Sequence, residues 1–133
     1  MQHIIDTHTF LWFEDGSEKL PAHIRALIID AKHTTQISIA SFWEMGIKAG
    51  TGKLPLGNSL LGLQAIAEKQ SIEILPITVQ AISLVQQFPF HHKDLFDRII
   101  AATVLTTGSV LLSGDAIFDA YGVPRLWQDK PLL

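Results

Sequence analysis

The chain contains no cysteine, so disulfide frameworks and thiolate metal sites are excluded and the redox compartment goes unread. Charge is scarce too. Asp, Glu, Lys and Arg make up 17% of the 133 residues, whereas the surface of a soluble domain usually carries roughly 25–35%. Together with 47% hydrophobic residues, this points to surface covered by a partner or a second copy. There is no excess of positive charge: 10 Lys and Arg face 13 Asp and Glu, for a net charge of −3. That excludes nucleic-acid binding by bulk electrostatics alone, but not an enzyme that brings bound cations to a phosphate. No long hydrophobic run is present. The most apolar stretch, "IIAATVLTTGSVLLSG", is broken by Thr, Gly and Ser and falls short of the ~20 residues a membrane span needs. "MQHIIDTHTF" has neither a basic segment nor an apolar core of signal-peptide length, so a soluble cytoplasmic protein is expected.

What is present reads as one domain over residues 1–133, without linker, repeat or low-complexity segment. Short apolar runs alternate with segments of helical period. "HIIDTH" is a strand ending at Asp6, followed by a helical turn in "HTFLWFED" and a helix in "SEKLPAHIRALIIDAKH". "TQISIAS" is an alternating strand, after which Ser41 is a candidate N-cap for a helix "FWEMGIKAG". Beyond the loop "TGKLPLG" come helix "SLLGLQAIAEKQ", strand "IEILPI" cut off by Pro76, and helix "TVQAISLVQQF" with Thr78 as its cap. The loop "PFHHKD" leads to helix "LFDRIIAATVLTTG", strand "SVLLSGD", short helix "AIFDAYG" and last strand "VPRLW". Strands alternating with helices predict an α/β fold, a three-layer α/β/α sandwich around a mainly parallel sheet of four to five strands.

In such sheets ligands gather outside the carboxyl ends of the strands. Asp6 ends the first strand, Glu44 follows the second, Asp94 and Asp97 open a helix that starts on that edge, and Asp115 follows "LLSG". Carboxylates from four separate parts of the chain are therefore expected along one edge. Brought together, they repel unless cations or protons neutralise them, and an all-oxygen ligand set favours Mg²⁺ or Mn²⁺.

Each acid has an alternative reading. Asp6 and Asp115 stand where helix caps stand, and Asp94 is a good N-cap for "LFDRIIAA" with Asp97 at N3. If Ser41 is an N-cap, "SFWE" is a capping box that would occupy Glu44. Ser113 could bond a carboxylate or the backbone, and Arg98 could meet phosphate or pair with an acid. His8, His91 and His92 fit no ligand spacing. Asp119 reads as solvated surface. Trp12, Trp43, Phe96 and Trp127 read as core or interface, with base stacking as the alternative.

Four stretches, "IIDTHTFLW", "SIASFWEMGIK", "HHKDLFDRIIAAT" and "LLSGDAIFDAYGV", taken in this order and spacing, resemble the PIN-domain ribonucleases, and most nearly the VapC-type toxins of toxin–antitoxin pairs. The resemblance spans nearly the whole chain. It implies that Asp6, Glu44, Asp97 and Asp115 are a catalytic acidic quartet holding Mg²⁺ (or Mn²⁺), with Asp94, Ser113 and Arg98 supporting it. It implies a metal-dependent endoribonuclease, an RNA substrate, a VapB-type antitoxin as partner, and a homodimer. Leu95 stands where this subgroup commonly has proline, and Ser113 where threonine is usual; neither change removes a carboxylate. Two other readings compete: a PIN-like fold that only binds, and a receiver-type signalling domain. The latter needs an adjacent acidic pair after the first strand and a late-strand lysine, and the chain has neither.

Overall fold

A computed structural model describes residues 1–89 and 94–127. The elements run β1 (Gln2–Ile5), α1 (Thr7–Asp15), α2 (Ala22–Ile29), β2 (Thr34–Ser38), α3 (Ile39–Gly50), α4 (Leu60–Lys69), β3 (Glu73–Leu75), α5 (Val79–Gln87), α6 (Leu95–Thr107), β4 (Val110–Leu112), a 3-10 helix (Ala116–Tyr121) and β5 (Arg125–Leu126). The five strands form one sheet in the order β3-β2-β1-β4-β5, and every pairing is parallel.

Successive residues of a strand face opposite sides, and here both sides are apolar, as a parallel sheet covered on two faces requires. Ile4 and Leu111 enter one core, with Ile100, Val104 and Phe118. Their neighbours Ile5 and Leu112 enter the other, with Phe10, Ile24, Ile37 and Met45. Three layers follow directly. Helix α6 is buried at six consecutive positions, Ile99 to Val104, because it is covered twice. Ile100, Ala101 and Val104 meet the sheet-side core, while Ile99 and Ala102 meet Ala81 and Val85 of α5.

The strand order also decides between folds. A receiver-type domain has the order 2-1-3-4-5; here β1 lies between β2 and β4, so that reading is excluded. The chain winds outward from β1 to β2 and β3, then resumes on β1's other side with β4 and β5. The switch point, where a ligand crevice is expected, lies between the ends of β1 and β4.

Most helix starts fall where the sequence places them, including Thr78, whose side chain accepts from the Ala81 amide. Two do not. "HTFLWFED" is more than a turn: α1 runs for nine residues from Thr7. Helix α3 begins at Ile39, capped by Ser38, whose hydroxyl accepts from the Ala40 amide. Ser41 therefore lies inside the helix and is fully buried. The capping box in "SFWE" does not form, and Glu44 sits in the second turn rather than the first.

Candidate active site

Asp6 follows β1 and caps α1. Its side chain is buried, and three donors replace the lost water: the Thr9 amide at 3.0 Å, the Thr9 hydroxyl at 2.5 Å and the Ser113 hydroxyl at 2.5 Å. Burial pushes the Asp6 carboxyl above its ordinary range, while the bonds from Ser113 and Thr9 and the nearby His8 pull it back only in part. Ser113, at the end of β4, also accepts from the Asp115 amide at 3.0 Å. One hydroxyl thus fixes two acids at the switch point. Asp115 itself is exposed and caps the 3-10 helix through the Ile117 amide at 3.0 Å.

Glu44 comes from α3 and is 3% exposed. Thr7, the residue after Asp6, donates to its Oε1 at 2.5 Å, which ties the two acids' surroundings together. Lys48, one helical turn on, donates to Oε2 at 2.5 Å and lies 3.6 Å from Oδ2 of Asp94. Burial alone would lower the Lys48 ammonium, but its bond to Glu44 and the charges of Glu44 and Asp94 outweigh that and raise it.

Asp94 is the N-cap of α6, its Oδ1 accepting from the amides of Phe96 (2.9 Å) and Asp97 (3.2 Å). Its other oxygen is the one that Lys48 approaches. Asp97 occupies the first turn of α6. One carboxylate oxygen from each of Glu44, Asp94 and Asp97 lies within 4.8 Å of the others. A close all-oxygen set of this kind is the donor chemistry that a hard divalent cation takes.

Of the acids named from sequence, the structure thus groups Glu44 with Asp97 and adds Asp94, which serves as cap and cluster member together. Asp6 and Asp115 lie outside that 4.8 Å grouping; they line a cleft of about 390 Å³ with His8, Trp12, Lys19, Gly114 and Trp127. The indole of Trp127 packs on Gly114, where a β-carbon would come within 2.8 Å of the ring. Trp12 and Trp127 meet at 5.9 Å between centroids, and the Lys19 ammonium lies 6.0 Å from the Trp12 ring. Trp43 and Phe96 make an edge-on contact at 5.4 Å, each next in sequence to a cluster acid.

Arg98 donates to the carbonyl of Val85 at 3.2 Å, joining α6 to α5. Asp119 is exposed as expected, and its carboxylate receives two bonds from Arg125 at 2.9 Å. His91 and His92 lie outside the described residues. Sequence reasoning missed Lys48, although its spacing of four from Glu44 on a helix was a usable signal.

Comparison with known proteins agrees with this architecture. The chain is similar in structure to VapBC2 from Rickettsia felis bound to a promoter DNA fragment, with a TM-score of 0.71, 13% identity, and coverage of 96% of this chain and 100% of that one. It is also similar to DNA-bound VapBC from Salmonella typhimurium (TM-score 0.66, 19% identity, 95% and 97% covered). VapBC-1 from nontypeable Haemophilus influenzae gives a TM-score of 0.65 at 18% identity, with 97% and 98% covered. At these identities the likeness is one of fold. No curated protein sequence matches the chain. The sequence profile of the PIN domain family, however, matches residues 3–124, nearly the full length, and the chain belongs to the PIN domain family.

Proposed function

We propose that this protein is a divalent-metal-dependent endoribonuclease that acts in the cytoplasm as the toxin of a VapC-type toxin–antitoxin pair. The observation that carries the reading is the convergence of Glu44, Asp94 and Asp97 within 4.8 Å beside a cleft walled by Asp6, Asp115 and two tryptophans. Glu44, Asp94 and Asp97 would hold Mg²⁺ or Mn²⁺, with Asp6 and Asp115 acting from the adjoining cleft. When bound, such an ion supplies a Lewis acid for a phosphoryl oxygen and a water of lowered pKa.

The chain's own residues do the rest. Thr7 holds one oxygen of Glu44, and Ser113 and Thr9 fix Asp6, so neither carboxylate is free to rotate away. Trp12 and Trp127 offer faces on which an unpaired base can stack, and Lys19 offers a charge for the RNA backbone. With a net charge of −3, bulk attraction to RNA is weak, and selectivity rests on the shape of the cleft and of the RNA.

A partner is supported by the surface. Ile39, Trp43 and Ile47 recur every four residues along α3 and are 44–53% exposed. Beside them a groove of about 150 Å³ is lined by Ile39, Phe42, Leu60, Leu61, Gln64 and Ile74. An antitoxin of VapB type, or a second copy in a homodimer, would cover such a face, in keeping with the low charge content. VapBC assemblies are also what the structural neighbours are described as.

The test is cleavage of a mixed pool of small RNAs in Mg²⁺ and in EDTA, beside an Asp97→Asn preparation purified identically. Discrete cuts that need metal and fall by on the order of a hundredfold or more in the variant would support the reading. Cuts that persist in Asp97→Asn would mark a contaminating ribonuclease. A folded protein that cuts nothing would instead be a binding module.

A further inference from the structure

The carboxylate cluster already faces a cation, and that cation belongs to the chain. Lys48 approaches Glu44 Oε2 at 2.5 Å and Asp94 Oδ2 at 3.6 Å, so its ammonium bridges α3 and the start of α6. An ordinary exposed ion pair would merit little attention. Here the Glu44 side chain is 4% exposed, and a buried carboxylate left without a counter-charge is strongly destabilising. Lysine spacing explains the contact: residues four apart share a helix face, with the acid on the N-terminal side as such pairs prefer.

Lys48 does not complete the cluster. Its ammonium brings one positive charge to Glu44 and Asp94, half of what a divalent ion would bring. That ion and the ammonium draw on the same two carboxylates, Glu44 and Asp94. Lys48 is built to give way: its side chain is 31% exposed, and four flexible methylenes let the ammonium withdraw to water. We propose that Lys48 is a tethered counter-cation that competes with the divalent ion for Glu44 and Asp94, so that metal loading proceeds by displacement of its ammonium. The inference rests on the metal-binding reading of this cluster and adds its regulation: the metal-free protein stays folded with its acids neutralised in part, and the ion must displace a competitor.

Binding of Mn²⁺, followed by calorimetry and by loss of the free-ion paramagnetic resonance signal, tests this without any assay of catalysis. Lys48→Met should bind Mn²⁺ on the order of tenfold more tightly than the parent. In EDTA it should melt at a lower temperature, and added Mn²⁺ should close the gap. Lys48→Gln keeps a donor within reach of Glu44 while removing the charge. It should also bind more tightly, and it serves if the Met variant fails to fold. Lys48→Arg should retain the parent's affinity. Unchanged or weaker binding in the uncharged variants would overturn the competition while leaving the metal site standing. A parent protein that binds no Mn²⁺ would overturn both, and the two failures are told apart by the parent alone.

Discussion

A carboxylate withdrawn from water needs replacement donors, and at Asp6 the replacements are two hydroxyls and an amide. Ser113→Ala removes one of them from a buried acid, so a loss of about 1–3 kcal/mol in stability is expected, measurable by urea unfolding. His3 offers a different handle. Its ring is fully buried in β1 with Nε2 2.7 Å from the Thr35 hydroxyl. Burial, then the charges of His33 and the N-terminus, lower its pKa from 6.5 to about 4. The folded state thus binds this proton less tightly than the unfolded chain. The stability contributed is complete above pH 6.5 and is lost as pH falls through about 4. His3→Gln should flatten that part of the acid limb in a melting-temperature profile; an unchanged slope would assign the acid sensitivity to carboxylates alone. At this scale the sequence was readable where one residue has one task. Asp94 has two, and from the sequence they read as alternatives, cap or supporting acid.

At the scale of elements, local chemistry sets most boundaries and misleads most at the start of α3. "QISIAS" offers serines at 38 and 41, and Ile39 continues the β-branched alternation, so the strand reads one turn too long. The helix starts at the earlier serine because Ser38 already ends the pairing with β3 at Leu75, leaving its side chain free to cap. That shift moves Glu44 from the dipole-favoured first turn into the interior, where Thr7 and Lys48 must support it. Helix ends follow glycine more simply. Gly108 closes α6 at φ +66°, and a β-carbon there would meet nothing within 4 Å. Gly108→Ala should therefore cost about 1 kcal/mol through backbone strain alone, seen as a lower denaturation midpoint with unchanged slope.

For the whole molecule, alternating strand and helix patterns were enough to specify the layers and the edge on which the acids gather. They could not specify strand order, because pairing partners are chosen by long-range packing that no local period encodes. The order determines the chemistry available: with β1 central, Asp6 meets Ser113 and Asp115 from β4's end, while Thr7 reaches across to Glu44 after β2. The two cores hold this arrangement jointly. Ile100, fully buried between the sheet and α6's neighbours, should cost about 2–5 kcal/mol when changed to Ala and should loosen both Asp94 and Asp97 at the head of the same helix. Thermal unfolding with and without Mn²⁺ would show it as lost stability together with weakened ion binding.

In the proposed mechanism a divalent cation held by these carboxylates contacts the RNA phosphate that is cut. The most direct measurement is single-turnover cleavage of one mapped RNA site carrying a sulfur in place of a non-bridging oxygen at the scissile phosphate, in Mg²⁺ and then in Mn²⁺. Slow cleavage of one sulfur isomer in Mg²⁺, restored by the more sulfur-tolerant Mn²⁺ and absent in Asp97→Asn, is the expected result. Equal rates for the sulfur and oxygen substrates in Mg²⁺, with chemistry shown to be rate-limiting, would contradict it.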